Sequence, residues 1–382
     1  MRWLKVPSWP AIVIGVVIAV IGGLFLGAVF VLSGVYNVAA SQEHFGITNA
    51  IIRLTLRRSV DVHSITTDVP DLSDEGLAAL GARHFALGCA ACHGSPASAQ
   101  NPVVAEMYPA PPPLSEAVED WDTEELFWIV KHGLKFTGMP SWPALERDEE
   151  VWALVAFLER LPETDAEDYA ALAGLENTRS KASLEFGAGS AGQESTLALC
   201  TNCHGSAEEP PVHPLVPALE GQKQPYLLRA LEEYAARKRP SGIMQAVAEA
   251  LDPQQMETLA RAYSLQAMTR DRSAALDAQA VARGEEIALN GVRADDVPAC
   301  SSCHRADTSG QFPRLDGLSA EYISTQLSLF RNGIRDGSTY SAIMMPIARR
   351  LSDRQIEDLT AYYASRTRQP SVSASRGSGA FP

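Results

Sequence analysis

The sequence predicts an all-α protein, with three small helical domains in tandem behind one apolar N-terminal helix. Three observations carry this. Residues 11–32 hold no charged side chain and are almost wholly apolar. The pentad Cys-x-x-Cys-His occurs three times, at 89–93, 200–204 and 300–304, about a hundred residues apart. Near the first copy, Val151, Leu154, Val155 and Leu158 form a stripe at helical spacing. A chain of 382 residues has room for two or three domains, and three separate pentads favour three.

The apolar run comes first. As a helix, Ala11–Leu32 would span about 33 Å, enough for a bilayer core. Arg2 and Lys5 precede it, and the next basic residue after it is Arg53. Positive charge stays in the cytoplasm, so residues 1–10 are expected there and everything after the span outside. The competing reading is a cleaved signal peptide, with Val38-Ala39-Ala40 as its cleavage site. A signal's apolar region is typically about 7–15 residues, shorter than this one, which favours an uncleaved anchor. Within the connector, residues 33–70, the span Ile47–Arg58 reads as a short amphipathic helix. Ile47, Ile51 and Leu54 share one face and Arg53 and Arg57 another.

The pentads come next. They use all six cysteines, so none remains for a structural disulfide. Two cysteines three apart lie on one helical turn, close enough to form thioethers with both vinyl groups of a porphyrin. The adjacent histidine then offers its imidazole to the iron. A single copy could be a redox dithiol or half a zinc site. A zinc ribbon, however, pairs such motifs within about 15–20 residues, far less than the spacing here. The reading is three covalently attached haem c groups. Their thioethers are assigned to Cys89 and Cys92, Cys200 and Cys203, and Cys300 and Cys303; their proximal ligands are His93, His204 and His304.

The domains around them are placed at 71–165, 180–270 and 277–368, with a Ser-, Gly- and Ala-rich tail at 369–382 expected to be disordered. The second and third form a repeat. A shift of 100 positions maps Cys200 on Cys300, Met244 on Met344, Leu251 on Leu351, Leu259 on Leu359 and Tyr263 on Tyr363. Between them Pro-x-Leu-x-Gly recurs at 217–221 and 313–317, each followed by a tyrosine (Tyr226, Tyr322), at a local offset of 96. Such register indicates duplication.

The register also selects Met244 and Met344 as distal ligands, each forty residues after its histidine. Met345 is adjacent but off register. Met256 and Met268 are expected to pack rather than ligate. In the first domain, Gly138-Met139-Pro140 holds Met139 between two conformational stops, 46 residues after His93. Met107 sits too near the pentad to be preferred. His132 and His213 are the rival ligands; His44, His63 and His84 have no ligand pattern around them.

Further elements follow. Gly81 and Gly192 each stand eight residues before a pentad, where a glycine permits close crossing by the domain's C-terminal helix. In the first domain that helix is expected at about 149–160. Ser352-Asp-Arg-Gln355 is a capping-box signature for its counterpart in the third. In the second, Asp252-Pro253 can open the helix instead. Pro109–Leu114 cannot be helix interior and is expected to run extended over a haem edge. Trp121, Trp128, Trp142 and Trp152 are read as packing.

Residues 71–368 resemble class I cytochromes c. The likeness rests on Gly-x-x-x-Phe before Cys89, the pentads and the downstream methionines. Residues 185–368 look more narrowly like dihaem periplasmic cytochromes, through Pro-x-Leu-x-Gly, the following Tyr, the Met seven before Leu, and Leu-Ser-Asp ahead of Tyr362-Tyr363. The first domain, with 126–133 and Thr137-Gly-Met-Pro140, is similar to a membrane-anchored monohaem module of proteobacteria. The resemblance implies low-spin His/Met haems and single-electron transfer without bond chemistry, hence no catalytic residue.

The net charge of -14 is uneven: residues 71–165 carry 17 acidic and 5 basic side chains. Such a surface suits steered docking of a basic partner and excludes nucleic acid. Expected partners are the membrane, through the N-terminal helix, and redox proteins: a soluble cytochrome, an oxidase, a reductase or a dehydrogenase. The principal reading is a membrane-anchored periplasmic triheme carrier. The alternatives are the cytochrome subunit of a quinoprotein or flavoprotein dehydrogenase, and a haem peroxidase, which would need an open sixth position.

Overall fold

The computed structural model describes residues 8–175, 190–206, 208–267 and 277–366. The expectations for Arg2, Lys5, Met268 and the tail 369–382 lie outside the described residues. The fold is all-α, and no strand occurs among the described residues.

Helix α1 (Trp9–Ser33) has a mean hydropathy of 2.9 and no buried residue, and ends on Gly34 at φ 68°. It is long and apolar enough to cross a bilayer. Helix α2 (Gly46–Ser64) runs six residues beyond the expected Arg58. Arg57 and Arg58 do not end it, because Arg57 lies 4.2 Å over the Trp121 ring and donates to the Asp120 carbonyl. The last turns bury Val60 and Ser64.

The first helical group contains α3 (Glu75–Gly88), α4 (Ala90–His93), α5 (Pro102–Ala105), α6 (Leu114–Ala117), α7 (Thr123–His132), α8 (Asp148–Leu158) and α9 (Ala166–Leu172). Asp74 caps α3 by accepting from Gly76 and Leu77 N–H, and a capping box of Asp122 and Glu125 starts α7. Helices α3 and α8 cross at Gly81, where a Cβ would fall 1.9 Å from the Ala153 carbonyl oxygen. Phe85, Phe157 and Tyr169 fill the core beneath this crossing. Tyr169 and Ala173 belong to that core, so packing of the first group continues past residue 165.

The second group comprises α10 (Ser190–His204), α11 (Gln224–Ala235), α12 (Gly242–Glu249) and α13 (Pro253–Leu265); Gly192 lies on α10, its surroundings outside the described residues. The third comprises α14 (Ala278–Asn290), α15 (Ser301–His304), α16 (Ala320–Arg331), α17 (Ser341–Arg350) and α18 (Asp353–Ser365). Capping boxes start both final helices, Asp252 with Gln255 and Ser352 with Gln355. Gly284 repeats the close crossing, a Cβ there falling 1.9 Å from the Asp358 carbonyl oxygen. The Pro-x-Leu-x-Gly runs end in equivalent contacts: Gly221 N–H donates to Tyr263 O at 2.9 Å and Gly317 N–H to Tyr363 O at 3.1 Å.

Candidate haem-binding sites

Each pentad closes a helix: α4 and α15 are single turns ending in the histidine, and the second pentad is the last turn of α10. The sequence therefore sets both cysteines of a pair on one turn, as thioether attachment requires. Burial pushes the Cys89 and Cys200 thiols up to about 12 and the Cys300 thiol up to about 11. A redox dithiol needs the opposite, a thiol lowered toward neutrality.

The histidines share one arrangement. Nδ1 of His93 lies 2.9 Å from the Pro112 carbonyl oxygen, that of His204 2.8 Å from Pro217 O, and that of His304 2.9 Å from Pro313 O. A carbonyl can only accept, so Nδ1 carries the proton. Nε2 is left with its lone pair, the form a metal takes. Pro217 and Pro313 are the prolines of the repeated Pro-x-Leu-x-Gly runs. Pro112 comes from the expected extended segment, where Gln100 also donates to Pro111 O at 3.0 Å.

The second site opens into a cavity of about 670 Å³, lined mainly by apolar atoms and reached by Cys200, Cys203, His204, Met244, Leu219 and Tyr263. That volume suits a cofactor, and the pentad and Met244 border the same space. Met244 stands in the first turn of α12, its N–H donating to the capping Ser241 Oγ at 3.0 Å. Met344 lies on α17, and Met345 directs its methyl toward Gly333. Met139 sits on a tight loop against the first core: Leu134 N–H donates to Met139 O at 3.2 Å, and Met139 N–H to Thr137 Oγ1 at 3.0 Å. Gly133, at φ 62°, admits this loop, since a Cβ there would fall 2.5 Å from Pro140. Met107 reaches the same loop, its methyl lying against Gly138.

The rival histidines lie elsewhere. His132 is exposed beside Trp128, and His213 Nε2 is 3.8 Å from Asp74. Met256 is buried in helix packing.

A haem also brings carboxylates. Arg239 and Arg335, 96 positions apart like Tyr226 and Tyr322, are buried together between the second and third groups. Arg239 donates to Tyr322 OH at 2.8 Å and to Gln326 Oε1 at 3.1 Å; Arg335 donates to the same oxygen at 2.8 Å. These bonds supply no opposite charge. Burial and the Arg239 charge push Arg335 down. Arg239 and Tyr226 line the cavity that Met244 enters, while Arg335, whose charge lowers the Glu233 carboxyl, lies beside Arg239. The donor set thus fits haem: thioether sulfur positions, an imidazole, a thioether ligand and charge for carboxylates. The sequence reading missed this pair, although the 96-residue offset carries it.

Known proteins match the chain by sequence. The family described as cytochrome c oxidase, cbb3-type, subunit III matches residues 76–158, and the family Cytochrome c matches residues 281–366. Cytochrome c4 of Pseudomonas aeruginosa is 33% identical over 180 residues, 46% of this chain and 87% of that protein. The thiosulfate dehydrogenase electron acceptor of Thiomonas intermedia is 31% identical over 181 residues, 47% of this chain and 83% of that protein. The solved cytochrome c4 of Acidithiobacillus ferrooxidans is 32% identical with a TM-score of 0.39, covering 44% of this chain and 98% of its own. The chain belongs to the c-type cytochromes, electron-transfer proteins with covalently bound haem. Within them it resembles the dihaem cytochromes c4.

Proposed function

We propose that this chain is a membrane-anchored periplasmic cytochrome with three haems c, passing single electrons between respiratory redox proteins. Its domains lie near 71–165, extended through α9, and at 180–270 and 277–368; α1 is the anchor. His93 with Met139, His204 with Met244, and His304 with Met344 hold the three irons. Haem c supplies a one-electron iron couple whose potential rises with a methionine ligand. Each histidine's partner proline carbonyl fixes the ring and its tautomer, Cys pairs tether the porphyrin edge, and Arg239 and Arg335 balance carboxylate charge.

The observation that carries this reading is the threefold recurrence of a pentad histidine bonded through Nδ1 to a proline carbonyl, with Nε2 left to ligate. A pyridine haemochrome assay should give three haems c per chain; one or two would overturn it. With both axial positions filled, the reduced protein should bind carbon monoxide slowly, and rapid binding would favour a peroxidase. A mature N-terminus at Ser41 would remove the anchor.

A second reading has its own support in the relative named a thiosulfate dehydrogenase electron acceptor. Here the chain would be the electron-accepting subunit of a periplasmic dehydrogenase. A catalytic subunit co-purifying in fixed stoichiometry would establish it, and a chain that purifies alone from its native membrane would exclude it.

A further inference from the structure

Glu150, near the start of α8, is 8% exposed and faces the second helical group. Each carboxylate oxygen takes two donors. Oε1 accepts from Ser241 Oγ at 2.6 Å and from Arg147 at 3.1 Å. Oε2 accepts from Gly242 N–H at 2.6 Å and from the Trp142 indole N–H at 3.1 Å. Arg147 also donates to Pro240 O at 2.7 Å. One carboxylate therefore joins Trp142, three residues beyond Met139, to Ser241 and Gly242, which open the helix bearing Met244.

Both ends are held tightly. Trp142 N–H donates to Lys131 O at 2.9 Å, fixing the loop on α7. Ser241 Oγ, which donates to Glu150, accepts from Met244 N–H. The indole of Trp142 covers Gly242 so closely that a Cβ there would fall 2.3 Å from the ring. Glycine at 242 is thus required by a side chain of the first group. The repeat partner lacks all of this: Ser341 Oγ donates to the Asp336 carbonyl, and Ala342 is exposed.

We propose that Glu150 is a positioning residue that locks the distal methionine segments of the first and second haem sites together and sets both potentials through its charge. This rests on Met139 and Met244 being axial ligands. A movement of either segment must strain the other through hydrogen bonds that are buried and costly to break. With Arg147 shared between Glu149 and Glu150, the cluster keeps one net negative charge that favours the oxidised irons at the two sites it joins, and the third serves as an internal reference.

The test is spectroelectrochemical titration of full-length protein carrying E150Q, E150A or S241A, with each haem assigned by replacing its methionine with histidine, which lowers that haem's potential. E150Q should raise the reduced-to-oxidised ratio of the first and second haems about tenfold at fixed potential, about 59 mV for one electron, and leave the third in place. E150A should in addition weaken the methionine-to-iron charge-transfer absorption of both. S241A, which keeps the carboxylate, should affect the second haem alone. Variants that only melt earlier, with all three potentials unchanged, would overturn the proposal. Should M139A and M244A leave the charge-transfer absorption intact, the ligand reading itself fails, an outcome separate from that one.

Discussion

Nδ1 of His204 lies 2.8 Å from the carbonyl oxygen of Pro217, the first residue of a run whose glycine bonds in turn to Tyr263. Pro217 has no N–H to donate and a fixed φ, so its carbonyl points where the ring needs it. P217G keeps the oxygen but frees the backbone. The ring should loosen, and one haem in three should bind carbon monoxide readily in the reduced state. Flash-photolysis rebinding measures this fraction, and P313G should do the same at the third site.

The helix crossing at Gly81 gives a stability prediction. Its Cβ would penetrate the Ala153 carbonyl, so the α3–α8 pair must separate in G81A. Overpacking of this kind costs about 1–3 kcal/mol. Gly88 in the same helix has nothing within 4 Å of a Cβ. Thermal unfolding should show G81A well below the parent and G88A close to it, with G284A repeating the loss at the Asp358 crossing.

His84 is buried at the seam between the first two groups, and its Nδ1 has no hydrogen-bond partner. Burial lowers its pKa from 6.5 to about 4, against an opposing hydrogen bond that the ring donates to the Glu150 backbone and with help from the Arg147 charge. The unfolded chain takes the proton first as pH falls. The contribution is therefore intact above about 6.5 and lost between 6.5 and 4. At about 1.4 kcal/mol per pKa unit the full loss approaches ~3 kcal/mol. Urea unfolding across this window should show the loss, and H84L should reduce it.

Arg239 is held by Tyr322, Gln326 and, at 3.4 Å, Tyr226. R239Q withdraws a buried positive charge from the cavity that Met244 lines and leaves these partners short of a donor. Leaving buried neutral groups without their donor costs about 1–3 kcal/mol. With a cation removed beside the second haem, its oxidised state gains, so its potential should fall while the melting temperature drops. Titration and calorimetry on one sample check both signs.

Much of this was legible in the sequence because it is local or periodic. The pentads, the capping box at Ser352, the Asp252-Pro253 start and the glycine before Cys89 are each read within one element. What escaped joins elements distant in the chain. Pro217 served only as a marker of the repeat, and the bond between its carbonyl and His204 appears only in three dimensions. Trp142 was read as packing, whereas its indole N–H reaches Glu150 and its ring covers Gly242, a hundred residues on. No local pattern encodes such a meeting. The Arg239–Arg335 pair was within reach, since the offset that relates Tyr226 to Tyr322 also relates the arginines.

The acidic bias of the first domain has a structural address. Glu106, Glu116, Glu119 and Asp120 are all exposed, and they flank the proline segment whose Pro112 carbonyl bonds His93. Negative charge is thus concentrated beside the first pentad, where a basic partner would need to dock to exchange electrons with it. Steering of this kind raises association rates by about 10- to 1,000-fold and fades as the Debye length shrinks from about 30 Å at 0.01 M to about 8 Å at 0.15 M salt. Stopped-flow reduction of a basic soluble cytochrome should slow at least tenfold across that range. The triple change E116K/E119K/D120K should lower the low-salt rate and flatten its salt dependence, without moving the haem count. A rate indifferent to salt in the parent would place docking on another face.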